Sequence, residues 1–354
     1  MPVRVLFLSD THLGLDLPSR PRVDRRRRGD DLFESFERAL APALSGEAGI
    51  VVHGGDLFYR SRIPAWLADR VFSRLAQLAD LGLDVFWVPG NHERSVVPRE
   101  LLLTHPRIHV FDRPRTFVVR RDGLDLALSG FPFAPDVRTS FPALLAATGH
   151  ADAVADVRLL CFHQAVEGAK VGPVGFTFRN GADVVRGRDV PAGFAAVLSG
   201  HIHRAQVLTH DLAARPLASP VLFAGSTDRT SFAERNEPKG TLLLELERDG
   251  RGGTATWEFR ELPVRPMVDL ELDPDDDGAS FEARLRAALS RLDPASLVRL
   301  RLSREPSPAV AELLGAKALR RAAPPTMTVS VAWRDAFERN VRDDPAADRS
   351  RPRA

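Results

Sequence analysis

Apolar runs in the first third of the chain are short, nearly continuous and each closed by a polar cluster. Residues 3–8 are mostly apolar, as in a strand covered on both faces, and stop at Asp10-Thr11-His12-Leu13-Gly14. Asp30 and Asp31 then precede Leu32, Phe33, Phe36 and Leu40, a helical stripe behind acidic start signals. A second strand at residues 49–53 closes on Gly54-Gly55-Asp56. Pro64 opens a helix carrying Leu67, Val71, Leu75 and Leu78, where its missing N–H is harmless. A third strand, residues 84–88, closes on Pro89-Gly90-Asn91-His92-Glu93. The pattern is β-α-β-α-β, with a polar motif at the carboxyl end of each strand, where open α/β sheets place their chemistry.

The pattern then changes. Strand-like pieces follow at 107–111, 116–120, 124–128 and 157–162, the last stopping at His163. The apolar run 194–198 leads into Gly200-His201-Ile202-His203. Pieces at 206–209, 220–224, 241–247 and 255–260 read as antiparallel strands. These elements predict a two-sheet α/β sandwich flanked by helices, residues 1–262, with its polar loops gathered along one edge. Near Pro263–Pro266 the pattern resets to a small α+β unit (263–335): alternating Val268, Leu270 and Leu272, an acidic turn, a helical stripe from Phe281 to Leu292, and strands near 297–302 and 326–333. Residues 336–354 form a polar tail.

Composition narrows the class without deciding it. The chain has 354 residues, 44% hydrophobic and 27% charged, ordinary for a water-soluble fold of one or two domains. No apolar run reaches the roughly 18 residues of a membrane span, and the N-terminal run leads straight into Asp10 as a strand, not a signal peptide. A single cysteine, Cys161 in an apolar strand pattern, reads as an inert thiol and fits a cytoplasmic location. With 49 basic against 47 acidic residues, net charge gives no evidence of a polyanion partner. Its distribution says more. Arg20, Arg22 and Arg25 to Arg28 crowd one stretch, read either as a solvated loop or as a phosphate-backbone contact.

Chemistry comes from the strand-end clusters taken together. Two divalent ions about 3.5–4 Å apart can clamp a phosphodiester from both sides of an in-line displacement. Such ions need hard oxygen ligands, imidazoles and one bridging carboxylate. Asp10 and His12 can share one ion with His203, and Asp56 can reach both. Asn91 offers an amide oxygen to the second ion, which His163 and His201 complete. His92 is better read as a general acid, because an imidazole titrates near neutral pH and can protonate a departing oxygen. Glu93 is expected to orient it. Singly, each cluster has an ordinary reading as a cap, a turn or a structural histidine. Their order, their strand-end placement and the completeness of the ligand set favour the metal site. His53, His105, His109, His150 and His210 fall outside the pattern and read as structural.

These motifs in this order resemble the calcineurin-like metallophosphoesterases. Ser9-Asp10-Thr11-His12-Leu13-Gly14, Gly55-Asp56-Leu57-Phe58, Cys161-Phe162-His163-Gln164, and Ala224 to Glu234 followed by Lys239-Gly240 resemble the SbcD-type DNA repair exonucleases. The likeness covers 1–262, and 263–335 only in layout, as a capping domain. It implies a manganese-dependent nuclease acting on DNA ends, with exonuclease and single-strand endonuclease activity, a homodimer, and a partner ATPase of the SbcC type. The other reading is a stand-alone phosphodiesterase or phosphatase acting on small nucleotides. Two departures stand out. Tyr59 follows Gly-Asp-Leu-Phe, where the family often has histidine or aspartate. Helices that would dock the ATPase coiled coils are not visible after Trp333-Arg334-Asp335-Ala336-Phe337.

Overall fold

In the first strand, β1 (Val3–Leu8), Val3, Val5 and Phe7 point one way and Leu6 and Leu8 the other, and all are buried. A strand apolar on both faces must be covered on both faces, and that requirement sets the layers. The computed structural model describes residues 2–16, 26–93, 104–274 and 277–332. The chain divides into two compact units. One comprises the N-terminal strand, Arg27–Thr230 and Glu237–Val264; the other contains Ser231–Asn236 and the chain from Arg265 onward.

Two six-stranded mixed sheets form the first unit. In one, β1 lies parallel to β2 (Ile50–His53), followed by β3 (Asp84–Trp87) and β4 (Ile108–Val110). The other contains β5 (Arg115–Arg121), β6 (Leu124–Gly130), β7 (Val157–Phe162), β12 (Ala196–Ser199), β13 (Gln206–His210) and β14 (Pro216–Phe223). Short strands β8 to β11 lie between Ala165 and Val185. The strands β15 (Gly240–Glu247) and β16 (Thr254–Glu261) return to the first sheet, β15 pairing antiparallel with β1. The antiparallel reading of this half therefore holds within the pairs β13–β14 and β15–β16, while β14 also runs parallel to β12.

Val5, Phe7, Val52 and Phe86 meet Leu128, Leu159, Cys161 and Leu198 in one apolar cluster between the sheets. On the outer face of the first sheet, Leu6, Leu8 and Val51 pack with Phe36, Leu75 and Leu78 from α1 (Arg28–Ala39) and α3 (Ala65–Asp80); α2 (Ala41–Leu44) is short. Phe36 is fully buried, and truncating it to alanine should cost about 3–5 kcal/mol. The outer face of the second sheet is covered by α4 (Val137–Ala147), whose Val137 and Phe141 meet Leu160 and Phe162. Layers therefore run helix, sheet, sheet, helix. Helix α1 begins at Arg28, so Asp30 and Asp31 lie in its first turn and not ahead of it.

The second unit is a three-stranded parallel sheet, β17 (Met267–Leu272), β18 (Leu297–Leu302) and β19 (Thr328–Ala332). Helices α5 (Gly278–Ser290), α6 (Pro308–Leu313) and α7 (Ala316–Ala322) accompany it. Asp277 caps α5, its carboxylate accepting from Ala279 and Ser280 N–H. Phe281, Leu285 and Leu289, one face at four-residue spacing, pack onto Val298 and Leu300. Among the described residues, no helix is long and apolar enough to cross a membrane.

Candidate metal centre

The loops leaving β1 and β2 run side by side: Asp10 N–H donates to Gly55 O at 2.9 Å, and His12 N–H to Asp56 O at 3.0 Å. Holding them there forces unusual backbone. Asp10, His12, Asp56 and His201 take φ values of 52°, 46°, 52° and 77°. Left-handed backbone costs a residue with a Cβ roughly 1–2 kcal/mol, and such cost concentrates at functional sites. Among the described residues the other non-glycine cases are Asp122 and Ala214. Two glycines are required by closeness. A Cβ on Gly55 (φ 105°) would stand 2.3 Å from His163 Nδ1, and one on Gly90 would stand 2.2 Å from Asp56 Oδ1.

The structure brings Asp10, His12, Asp56, Asn91, His92, His163, His201 and His203 to one place. His12 Nε2 lies 2.9 Å from His203 Nε2, and Asp10 Oδ1 lies 3.9 Å from His203 Nε2 and 4.0 Å from His163 Nε2. Asp56 Oδ2 is the hub, 3.4 Å from His163, 3.6 Å from His92 and 3.9 Å from His12. Asn91 Oδ1 lies 3.2 Å from His163 Nε2 and 3.0 Å from His201 Nδ1. Donors about 2.1 Å from a shared ion stand about 3.0 Å apart at right angles and about 4.2 Å apart across it. The observed separations fall in that range, so the residues fit a divalent metal. Three overlapping donor groups follow: Asp10–His12–His203, Asp10–Asp56–His163 and His12–Asp56–His92.

Outer contacts aim these donors. His163 Nδ1 pairs with Gly54 O at 2.7 Å, which leaves Nε2 directed inward. His201 N–H donates to both Asp10 oxygens at 3.1 Å, and His92 N–H donates to Asp56 Oδ1 at 3.0 Å. Buried Lys239 donates to the His203 carbonyl at 2.9 Å and lies 3.4 Å from Glu237, which also receives Arg204 at 2.9 Å. Thr230 Oγ1 stands 3.3 Å from His203 Nδ1. Below the site, fully buried His53 accepts from Gly55 N–H at 3.3 Å and meets Thr11 Oγ1 at 3.2 Å, a structural role.

Electrostatically the cluster is short of positive charge. Burial pushes the Asp10 carboxyl up, although His163 and His203 oppose it. Burial would also raise Asp56, but His163, His12 and His92 outweigh it and hold that carboxyl well below the usual range. Burial draws His163 down, yet Asp56 and Asp10 lift it to about 9. Burial and the neighbouring His163 charge lower His201 to about 3. A proton on His163 thus stands where a cation is wanted, between two buried carboxylates.

Two expectations need correction. Arg28 is no solvated or phosphate-facing residue: it is buried, donating to Asp31 at 2.9 Å, to Asp228 at 2.8 Å and to the Arg229 carbonyl at 2.6 Å. Its carboxylate partners lie on its own helix and on a distant loop, and they draw the guanidinium inward. Arg27 pairs with Asp16 at 2.7 Å, Arg26 is exposed, and Arg20, Arg22 and Arg25 lie outside the described residues. Glu93 also has a different part. Fully buried, it accepts from the Phe58, Gly90 and Asp56 amides at 2.8, 2.7 and 3.1 Å, tying the two loops together, and burial raises it to about 8. The Tyr59 carbonyl, 2.5 Å from Nδ1, is what fixes the His92 ring. Lys239 and Thr230, which the sequence offers only as members of motifs, prove to support His203.

Strand-end carboxylates, imidazoles and one amide around a shared hub form a donor set suited to divalent metal. The calcineurin-like phosphoesterase family model matches residues 3–205, and the chain belongs to that family, whose members use divalent metals. Curated relatives are similar in sequence. The chain is 26% identical over 315 residues to the DNA double-strand break repair protein Mre11 of Aeropyrum pernix, covering 85% of this chain and 70% of that one. It is 28% identical over 303 residues to the protein of that name from Haloferax volcanii (83% and 60%), and 29% identical over 295 residues to that from Halobacterium salinarum (80% and 67%). This chain thus spans only 60–70% of the length of these relatives.

Proposed function

We propose that this chain is a two-metal DNA nuclease acting in repair, hydrolysing phosphodiester bonds at or near DNA ends. The observation that carries the reading is the convergence on Asp56: its Oδ2 stands within 3.4–3.9 Å of His163, His92 and His12. The names of the relatives support DNA as the substrate.

In this reading Asp10, His12 and His203 would hold one ion and Asn91, His163 and His201 the other, with the Asp56 carboxylate within reach of both groups. Divalent ions held there, with manganese the expected metal, would supply Lewis acidity toward the phosphoryl oxygens. His92 donates the proton to the departing oxygen. Its placement suits that part: the side chain is 32% exposed, whereas Asp10 and His163 are fully buried. The Tyr59 carbonyl fixes the ring from its Nδ1 side, which leaves Nε2 for the transfer. The same resemblance gives the C-terminal unit the part of a capping domain, and adds a second copy and an SbcC-type ATPase as partners.

Hydrolysis of small nucleotides is the second reading. The cleft beside His92 is open, lined by Tyr59, Arg60, Ser61 and Arg62, and this favours a long substrate. End-labelled duplex and single-stranded DNA, incubated with manganese, magnesium or EDTA, tests the assignment. Cleavage in manganese that EDTA abolishes is expected. Turnover of mononucleotide esters without any cutting of DNA would establish the second reading instead.

A further inference from the structure

The buried ion pairs of Arg28 lie outside the metal cluster, yet they lead to it. Arg28 is the first residue of α1, where the positive end of the helix dipole disfavours a cation, and it is buried. Two carboxylates offset both penalties: Asp31 on the same helix, and Asp228 on the loop that follows β14. A buried ion pair is weak evidence for stability, so what it holds in place matters more. Here it holds that loop against α1. Asp228 receives Arg28 on Oδ1 and Ser35 Oγ on Oδ2, both at 2.8 Å, and Arg28 also donates to the Arg229 carbonyl at 2.6 Å. The same loop grips a metal-cluster histidine. Ser226 Oγ donates to the Asp228 carbonyl at 2.8 Å, and Ser226 N–H donates to the His203 carbonyl at 3.1 Å. Thr230 Oγ1 meets His203 Nδ1 at 3.3 Å. Gly225 comes so close that a Cβ on it would stand 2.8 Å from the His203 carbonyl oxygen. Ser9, next to Asp10, donates to the Gly225 carbonyl at 3.1 Å. His163 is aimed instead by the Gly54 carbonyl.

We propose that Arg28 is a positioning residue for His203. Fastened to Asp228, it fixes the 225–230 loop, and the loop fixes the His203 main chain through Ser226 and its ring through Thr230. The assignment rests on the two-metal reading above and adds that the two donor groups are supported separately. Loosening the loop should therefore weaken the ion held by Asp10, His12 and His203, and leave the one held by Asn91, His163 and His201 in place.

The test is a manganese titration of the EDTA-stripped, dialysed full chain, read by the EPR signal of the free ion. The parent should bind two ions. Arg28→Met strands two buried carboxylates and can fail to fold, so the deciding variant is Asp228→Ala, which leaves Arg28 paired with Asp31 and cuts the same link. It should weaken one ion about 10- to 100-fold and leave the other at parental affinity. Thr230→Val should do the same, and Thr230→Ser should keep the parental isotherm. His203→Ala should lose that same ion, and adding Asp228→Ala to it should not alter the ion that remains. A fold that was merely loosened would weaken both ions, and would weaken the remaining one further in the double variant. Either that result or an unaltered isotherm in Asp228→Ala overturns the part given to Arg28. A parent that binds fewer than two ions overturns the two-metal reading and this inference together. The titration needs no catalysis, so a chain that behaves as described but cuts no DNA in manganese would refute the nuclease reading alone.

Discussion

Two aspartates in this molecule stand among positive or potentially positive neighbours, and they are built in opposite ways. Asp269 lies on β17 of the C-terminal unit, opposite Arg299 in the parallel register. It takes two bonds from Arg299 at 2.5 and 2.8 Å, with Arg301 at 3.4 Å and Arg235 at 3.6 Å. Arg299 and Arg301 alternate on one strand face, so regular geometry delivers both. Asp56 instead sits in a loop at φ 52°, 2% exposed, with imidazoles for neighbours. The arginines supply Asp269 with permanent charge. Imidazoles give Asp56 a proton that can leave, and they offer lone pairs to a cation that replaces it. A structural ion pair is complete in itself, whereas the Asp56 cluster is assembled under strain and is completed by something from outside the chain.

The largest effect should come from removing the hub. Asp56→Asn should lower metal affinity by more than the roughly 10–100-fold that follows loss of an outer partner, and hydrolysis should fall with it. Metal analysis of the dialysed variant checks this, and an unchanged count of two ions would count against bridging. His92→Ala comes next. It should keep both ions and lose about 100- to 10,000-fold in kcat, read by steady-state kinetics on single-stranded DNA beside the metal content. Parental turnover would remove His92 as the acid.

A pH experiment sharpens the contrast further. His163 is raised to about 9 in the folded, metal-free chain, against an ordinary 6.5. Its contribution to stability is therefore full below pH 6.5 and fades as pH rises through about 9. Asp56 is depressed, so its contribution is present above about 3.8 and fades as pH falls through its lowered value. The Tm of EDTA-stripped protein should decline between about pH 6.5 and 9, and saturating divalent metal should flatten that decline. Parallel profiles with and without metal would show that His163 holds no exchangeable proton. Asp269→Asn should act on stability alone: about 1–3 kcal/mol in denaturant unfolding, with metal content and hydrolysis unchanged.

Much of the centre could be read from the chain because its ligands end apolar runs. Residues 3–8, 49–53 and 84–88 are buried on both faces, so polar residues at their carboxyl ends are conspicuous, and the folded loops bring them together. Partners distant in sequence were harder to see. Nothing in the period of 241–247 and 255–260 says that these strands return to the first sheet, with β15 beside β1. Helix α4 was hidden because Pro142 interrupts an otherwise helical pattern. Arg28 looked like one of a solvated run, because the carboxylate that draws it inward, Asp228, lies 200 residues away. Composition reports that an arginine is present, and only the fold decides whether water or a carboxylate receives it.

Anomalous diffraction at the manganese edge, from a crystal grown with the metal, tests the account most directly. Two peaks about 3.5–4 Å apart are predicted, with Asp56 touching both, Asp10, His12 and His203 around one, and Asn91, His163 and His201 around the other. A single peak, or two peaks that Asp56 does not join, would contradict it.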